Sequence, residues 1–197
     1  GFFINKMGYV LTNNHVIENC RFIKVQPVTG GQSEGELVHA NKDKDLALLK
    51  TSLKPVRYAL FRAQPDMTPG EVFRIIGYPT RTLTPLKPQL ERVTYMQSGG
   101  LNGWVVVKGE IYPGNSGGPA FDQYGRLSGV VVAKVNTPGV FQKTGQLIKD
   151  QGFLISLQTT RAFLKKAAAE YQNLSGGGDY ANAKTLEKSV TKIGCWR

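Results

Sequence analysis

Ser116 sits in the run Asn115-Ser116-Gly117-Gly118-Pro119, directly after Pro113-Gly114. A hydroxyl flanked by glycines on a tight turn is suited to nucleophilic attack. The glycines can take positive φ, so that successive N–H groups converge on one point, where an oxyanion would form. The N–H groups of Gly114 and Ser116 are the expected donors of that oxyanion hole, and each donor of this kind typically contributes about 2.7–4 kcal/mol to a transition state. A serine hydroxyl is a poor nucleophile at neutral pH and needs a base to take its proton. His15, in Thr12-Asn13-Asn14-His15-Val16, is the expected base. An imidazole can accept that proton and later return it to a leaving group. Asp45, at the start of Asp45-Leu46-Ala47-Leu48-Leu49, is expected to accept a hydrogen bond from the other ring nitrogen, fixing the tautomer and stabilising the imidazolium. Asp43 is its near competitor in sequence.

The order His, Asp, Ser separates this arrangement from other triads built on unrelated folds. Together with Gly8-Tyr9-Val10-Leu11, Gly77-Tyr78-Pro79 and Gly152-Phe153-Leu154-Ile155, these motifs make the chain resemble the trypsin-like serine proteases of the chymotrypsin fold, in the style of the bacterial HtrA/Deg-type branch, over roughly residues 1–170. No PDZ-like segment follows. The resemblance implies an all-β protein of two six-stranded antiparallel β-barrels with the site between them, a C-terminal helix and a short tail. It implies a serine endopeptidase that acts on polypeptides through an acyl-enzyme, with no metal or cofactor, and it favours Asp45 over Asp43 because an apolar strand follows Asp45 directly. A non-catalytic or chaperone-like polypeptide-binding module on the same fold is the alternative. Asn115 stands where relatives carry Asp or Asn, and an Asn cannot pair with a newly freed N-terminus. By the same resemblance the base of the specificity pocket is Glu110, six residues before Ser116, with Val132, Ala133 and Lys134 as its wall. A buried carboxylate there would select Lys or Arg. An exposed Glu110, with Val132 narrowing the pocket and Lys134 nearby, would leave a small or medium aliphatic residue as the preference.

The elements that must position these residues read mostly as short strands. Segments at 21–25, 34–38, 46–49, 71–76, 91–97, 104–107, 126–135 and 153–155 are apolar or alternating, and Gly-, Pro- and Asn-containing turns separate them. The expected division is a protease domain over 1–172, with one barrel at about 1–60, a second at about 70–157, and a helix at about 158–172 that includes Ala167-Ala168-Ala169. The two barrels would join in the proline-containing stretch 54–69. A Gly/Ser linker over 173–179 and an extension over 180–197, with a short helix and a tail, would follow. Gly1-Phe2-Phe3-Ile4 reads as a strand already under way, so an earlier strand and any targeting segment are expected to precede it. Tyr95, Trp104 and Tyr112 read as core or cleft-covering aromatics, and His39 as a surface histidine.

The composition, 41% hydrophobic and 20% charged, is that of an ordinary globular protein. No run reaches the ~18 apolar residues of a membrane span. The net charge is +11, but Lys and Arg are scattered and accompany no nucleic-acid motif, so nucleic acid is not an expected partner. Cys20 and Cys195 are the only cysteines. They read as one long-range disulfide tying the tail to the first barrel, the alternative being two free thiols. The disulfide and the resemblance together point to a periplasmic or secreted location.

Overall fold

Leu46-Ala47-Leu48-Leu49 carries no polar residue in alternation because both faces of this strand are buried. Ala47 and Leu49 face Phe3, Val10, Ile23 and Val25, whereas Leu46 and Leu48 face Phe61, Ile76, Phe121 and Val130 of the other half of the molecule. A strand buried on both sides reads as a continuous apolar run. The computed structural model describes residues 1–80, 87–98, 103–132, 151–176 and 182–197. Ala133 and Lys134, and residues 177–179 of the expected linker, lie outside the described residues.

The N-terminal half contains β1 (Phe2–Phe3), β2 (Tyr9–Thr12), α1 (Asn14–Ile17), β3 (Phe22–Pro27), β4 (Ser33–Glu34), β5 (Glu36–Asn41) and β6 (Leu46–Lys50). The remaining chain supplies β7 (Phe61–Arg62), β8 (Val72–Gly77), β9 (Gln89–Ser98), β10 (Trp104–Lys108), β11 (Pro119–Phe121), β12 (Leu127–Val132), β13 (Gln151–Ser156), α2 (Leu157–Lys166), β14 (Asn173–Leu174), α3 (Ala183–Glu187) and β15 (Thr191–Trp196). Strands β11, β8, β9, β10, β13 and β12 pair in that order, and β12 pairs back onto β11, closing a six-stranded barrel. Its interior is filled by Phe73, Ile75, Val93, Val105, Val107, Ala120, Val131 and Leu154. Tyr95 belongs to the same cluster, as its strand pattern suggests.

The N-terminal half departs from the expected second closed ladder. It consists of a four-stranded sheet, β1-β2-β6-β5, and a three-stranded sheet, β15-β3-β4, around a shared apolar cluster. The expected tail is in fact β15, which pairs antiparallel along the whole of β3, from Thr191 opposite Pro27 to Trp196 opposite Phe22. It also reaches β1: Val190 bridges Phe2, and the Thr191 N–H donates to the Gly1 carbonyl at 2.9 Å. The Cys20–Cys195 disulfide, with Cα atoms 5.3 Å apart, ties β15 to the segment just after α1.

The terminal helix also differs from the expected one. Ser156 caps α2 by accepting the Thr159 N–H, and the helix ends at Lys166, so the alanine run forms its exit. Ala168 has φ 50, and Ala169 is buried in the inter-half core. Packing of that exit outweighs the high helix propensity of alanine. The chain then returns to pair β14 with β7 in the proline-containing join. His39 is half-buried rather than a free surface group, and its ring stacks on Phe163 of α2 at 5.0 Å. The Arg161 guanidinium donates to the carbonyls of Arg62 and Ala63 and to Asn173 Oδ1, which binds the helix to the join.

Candidate active site

Pairing of β2 with β6 sets Thr12 opposite Ala47, so the segment after β2 and the turn before β6 meet at one end of the sheet. The one-turn helix α1 begins there and carries His15, and Asp45 is the last residue of the turn. His15 Nδ1 lies 2.7 Å from Asp45 Oδ2, and the His15 backbone N–H donates to Asp45 Oδ1 at 2.9 Å. Both carboxylate oxygens are thereby engaged by the same residue. An ionised carboxylate only accepts, so beside it the neutral imidazole is the tautomer with its proton on Nδ1 and its acceptor at Nε2. Asn13 Nδ2 donates to the Asp45 carbonyl at 2.8 Å, holding the turn against the α1 entry. Asp45 has φ 52, in the left-handed region that Asp and Asn tolerate better than other residues bearing a Cβ. The competitor Asp43 is exposed on the same turn.

Ser116 is set by the turn between β10 and β11. The Asn115 N–H donates to the Tyr112 carbonyl and the Gly118 N–H to that of Asn115, each at 3.0 Å. Gly117 donates to Val131 O at 2.9 Å, fastening the turn to the barrel. Gly114 has φ 95 and Gly117 φ 73. A Cβ on Gly117 would overlap Thr12 Oγ1 and lie 2.8 Å from Asn13 N, so the serine turn can touch the histidine segment only without a side chain there. A Cβ on Gly114 would overlap the Tyr78 carbonyl. Tyr78 N–H donates to Gly114 O, and Thr80 N–H to Pro113 O, both at 3.0 Å. Among the described residues the Gly114 N–H has no protein acceptor, as an oxyanion donor requires. The Asn115 side chain is fully buried and finds no hydrogen-bond partner among the described residues.

His15, Gly114 and Ser116 line one cleft of about 410 Å³, together with Val16, Tyr78 and Thr80. The structure thus brings together four of the expected site residues, counting Asp45 behind His15. Of the expected pocket residues, Glu110 and Val132 do not line this cleft, and Ala133 and Lys134 lie outside the described residues. Glu110 is exposed, where it accepts a hydrogen bond from the Tyr112 hydroxyl, and Val132 is buried in the inter-half core. Sequence reasoning missed the opposite wall, which is Thr191, Lys192 and Ile193 of β15. Tyr78, within the Gly77-Tyr78-Pro79 motif, also lines the cleft without a role assigned from sequence. Burial, aided by the nearby Glu187 carboxylate, pushes the Tyr78 hydroxyl up to about 12.

A closed antiparallel barrel packed on a second β-rich half, with an Asp-oriented histidine and a glycine-framed serine on one cleft between them, defines an all-β protein of the chymotrypsin-like class. The chain belongs to the trypsin-like peptidase family, whose domain description matches residues 1–130. It is 32% identical over 146 residues, 69% of its length, to the serine protease Do-like HtrA of Bacillus subtilis. It is 30% identical over 167 residues, 83% of its length, to an uncharacterized protein of Sinorhizobium fredii. It spans only 32% and 26% of those two proteins. The solved serine endoprotease from Yersinia pestis superposes with a TM-score of 0.66 at 26% identity, covering 84% of this chain and 55% of that one. These relatives place the chain in an HtrA-type group of trypsin-like proteases. Among the described residues, no helix is long and apolar enough to cross a membrane.

Proposed function

We propose that this chain is a serine endopeptidase domain in which His15, Asp45 and Ser116 act as a triad. The observation that carries the reading is the double engagement of Asp45 by His15, beside a cleft that His15 shares with Ser116. His15 Nε2 takes the Ser116 proton as Oγ attacks the substrate carbonyl, and the resulting imidazolium is stabilised by Asp45. The oxyanion is met by the Gly114 and Ser116 N–H groups. Collapse of the tetrahedral intermediate breaks the C–N bond, with His15 returning the proton to the leaving amine. Water, activated by the same imidazole, then hydrolyses the acyl-enzyme and restores the Ser116 hydroxyl. The chemistry is complete with protein groups alone.

The exposed Glu110 gives a basic P1 preference no support, so a small or medium aliphatic P1 residue is the favoured reading. The Cys20–Cys195 disulfide supports an oxidising location, periplasmic or secreted. The protease unit is read over residues 1–172 with a C-terminal extension over 180–197, whose strand β15 supports the first half by pairing with β3.

The test is cleavage of casein and labelling by a fluorophosphonate, comparing the wild-type chain with Ser116→Ala. Serine-dependent fragments and a single label on Ser116 are expected. Equal cleavage by Ser116→Ala would sink the triad, and a wild-type chain that neither labels nor cleaves would favour a binding module on this fold.

A further inference from the structure

The C-terminal strand β15 is more than a structural patch. Thr191, Lys192 and Ile193 form the wall of the cleft that faces His15 and Ser116. The strand is held there by the full ladder to β3, by the Thr191–Gly1 backbone bonds at its start, and by the disulfide at Cys195, which reaches back to Cys20 beside the α1 segment that bears His15. It is therefore a rigid wall rather than a loose tail.

The cleft does not end at His15 and Ser116. Tyr78 and Lys192 also line a second cavity, of about 600 Å³, whose far side is Gln26, Pro27, Lys87 and Glu187. Each cavity has the size of a ligand pocket, and they meet at Tyr78 and Lys192. A polypeptide leaving the Ser116 region in extended form advances about 3.3 Å per residue and would pass this junction within a few residues. The charged side chains at the second cavity are Lys87, Lys192 and Glu187, so cations outnumber carboxylates there. Among the described residues neither lysine makes an ion pair, and Lys192 is half-buried, where a charge is less screened than at an open surface. A lysine with no ion pair among the described residues, on the wall of a peptide-sized cleft, favours a carboxylate arriving with the substrate. Tyr78 lies beside Glu187 with its hydroxyl held protonated, so it stays neutral and does not compensate the lysines.

We propose that Lys192 is a specificity-determining residue of the peptidase cleft and selects substrates with an acidic side chain near the scissile bond, on the side of the cleft bounded by β15. The inference rests on the peptidase reading of His15, Asp45 and Ser116.

The test uses internally quenched peptides cleaved by the full chain. Each pair differs only by Asp or Glu against Asn or Gln at one position flanking the cleavage site. The readout is the ratio of kcat/KM within a pair, which cancels any general loss of activity in a variant. The wild-type ratio is expected to reach roughly fivefold at one position on one side of the scissile bond, and to shrink between 50 and 500 mM salt, as about 1 kcal/mol of partly screened charge pairing would. Lys192→Met should bring the ratio to about one, and Lys192→Glu should invert it in favour of Asn or Gln. Fluorophosphonate labelling of Ser116 in each variant reports whether the site is still formed. A wild-type chain that cleaves with all ratios near one would overturn the inference while leaving the peptidase reading intact. An acidic preference that survives in both variants would remove Lys192 from the role. Absence of both cleavage and labelling in the wild type would overturn the peptidase reading, and this inference with it.

Discussion

Replacing Asp45 by Asn tests the site through one proton. The exchange keeps size and keeps a residue that tolerates φ 52, so the turn before β6 should hold. The His15 backbone N–H lies 2.9 Å from one Asp45 oxygen and must keep an acceptor. An Asn that turns its Oδ1 toward that N–H presents its NH₂ group to Nδ1 of the ring, 2.7 Å from the other position. The opposite rotamer would set two donors against each other at the backbone. The backbone bond therefore forces the wrong choice on the ring: Nδ1 becomes an acceptor, Nε2 takes the proton, and no base faces Ser116. In a characterised serine protease the equivalent exchange lowers kcat about 10⁴-fold, and here the same loss would correspond to about 5.4 kcal/mol of transition-state stabilisation. The assay is kcat/KM on a peptide substrate near pH 7, with circular dichroism and thermal unfolding as controls for the fold. An Asp45→Asn variant that folds normally and stays within tenfold of wild type would refute the argument, and with it the assignment of Asp45 as the orienting residue.

Gly117→Ala should lower kcat by roughly 10² or more, because its Cβ would push the serine turn away from Thr12 and Asn13, whereas Gly70→Ala, also at positive φ but with open space around it, should leave kcat unchanged. Equal effects of the two in a steady-state assay would show that backbone strain, not the close approach, is what matters. Reducing the disulfide, or Cys195→Ser, should cost about 2–4 kcal/mol and lower Tm by roughly 4–16 °C, because the bridge closes a loop spanning 175 positions. An unchanged Tm in differential scanning calorimetry would mean that β15 is held by its ladder alone. Because burial raises the Tyr78 hydroxyl above its ordinary 10 to about 12, the folded state favours the protonated form, and its contribution is present below pH 10 and lost as pH rises through about 12. Wild type should therefore lose more stability over that window than Tyr78→Phe in urea titrations, and parallel curves would show that the hydroxyl titrates alike in both states.

Much of the site was legible because its determinants are local. The glycines around Ser116, the Asn-Asn-His run and the Asp before an all-apolar strand each state a backbone requirement within a few residues, and their order restricts the fold that can bring them together. Strands such as β8, β9, β10 and β13 were readable for the same reason, since period-two patterning and turn residues are short-range signals. Tertiary structure decided what depends on distant partners. Thr191-Lys192-Ile193-Gly194-Cys195-Trp196 is short and contains a glycine, and nothing within it names β3 as its partner. Only the ladder to Phe22–Pro27 makes it a strand and a wall of the cleft. The end of α2 at Lys166 was set by where Ala169 could be buried, against the propensity of the alanines. Glu110 could be counted back from Ser116, but whether it is buried or exposed depends on how the chain around it packs, and that determines whether its charge can read a substrate. Patterns within a few residues specify backbone shape and chemical potential. Pairing across a long stretch of chain, where the entropy of closure must be offset by contacts that only the finished fold supplies, specifies which residues share a cleft.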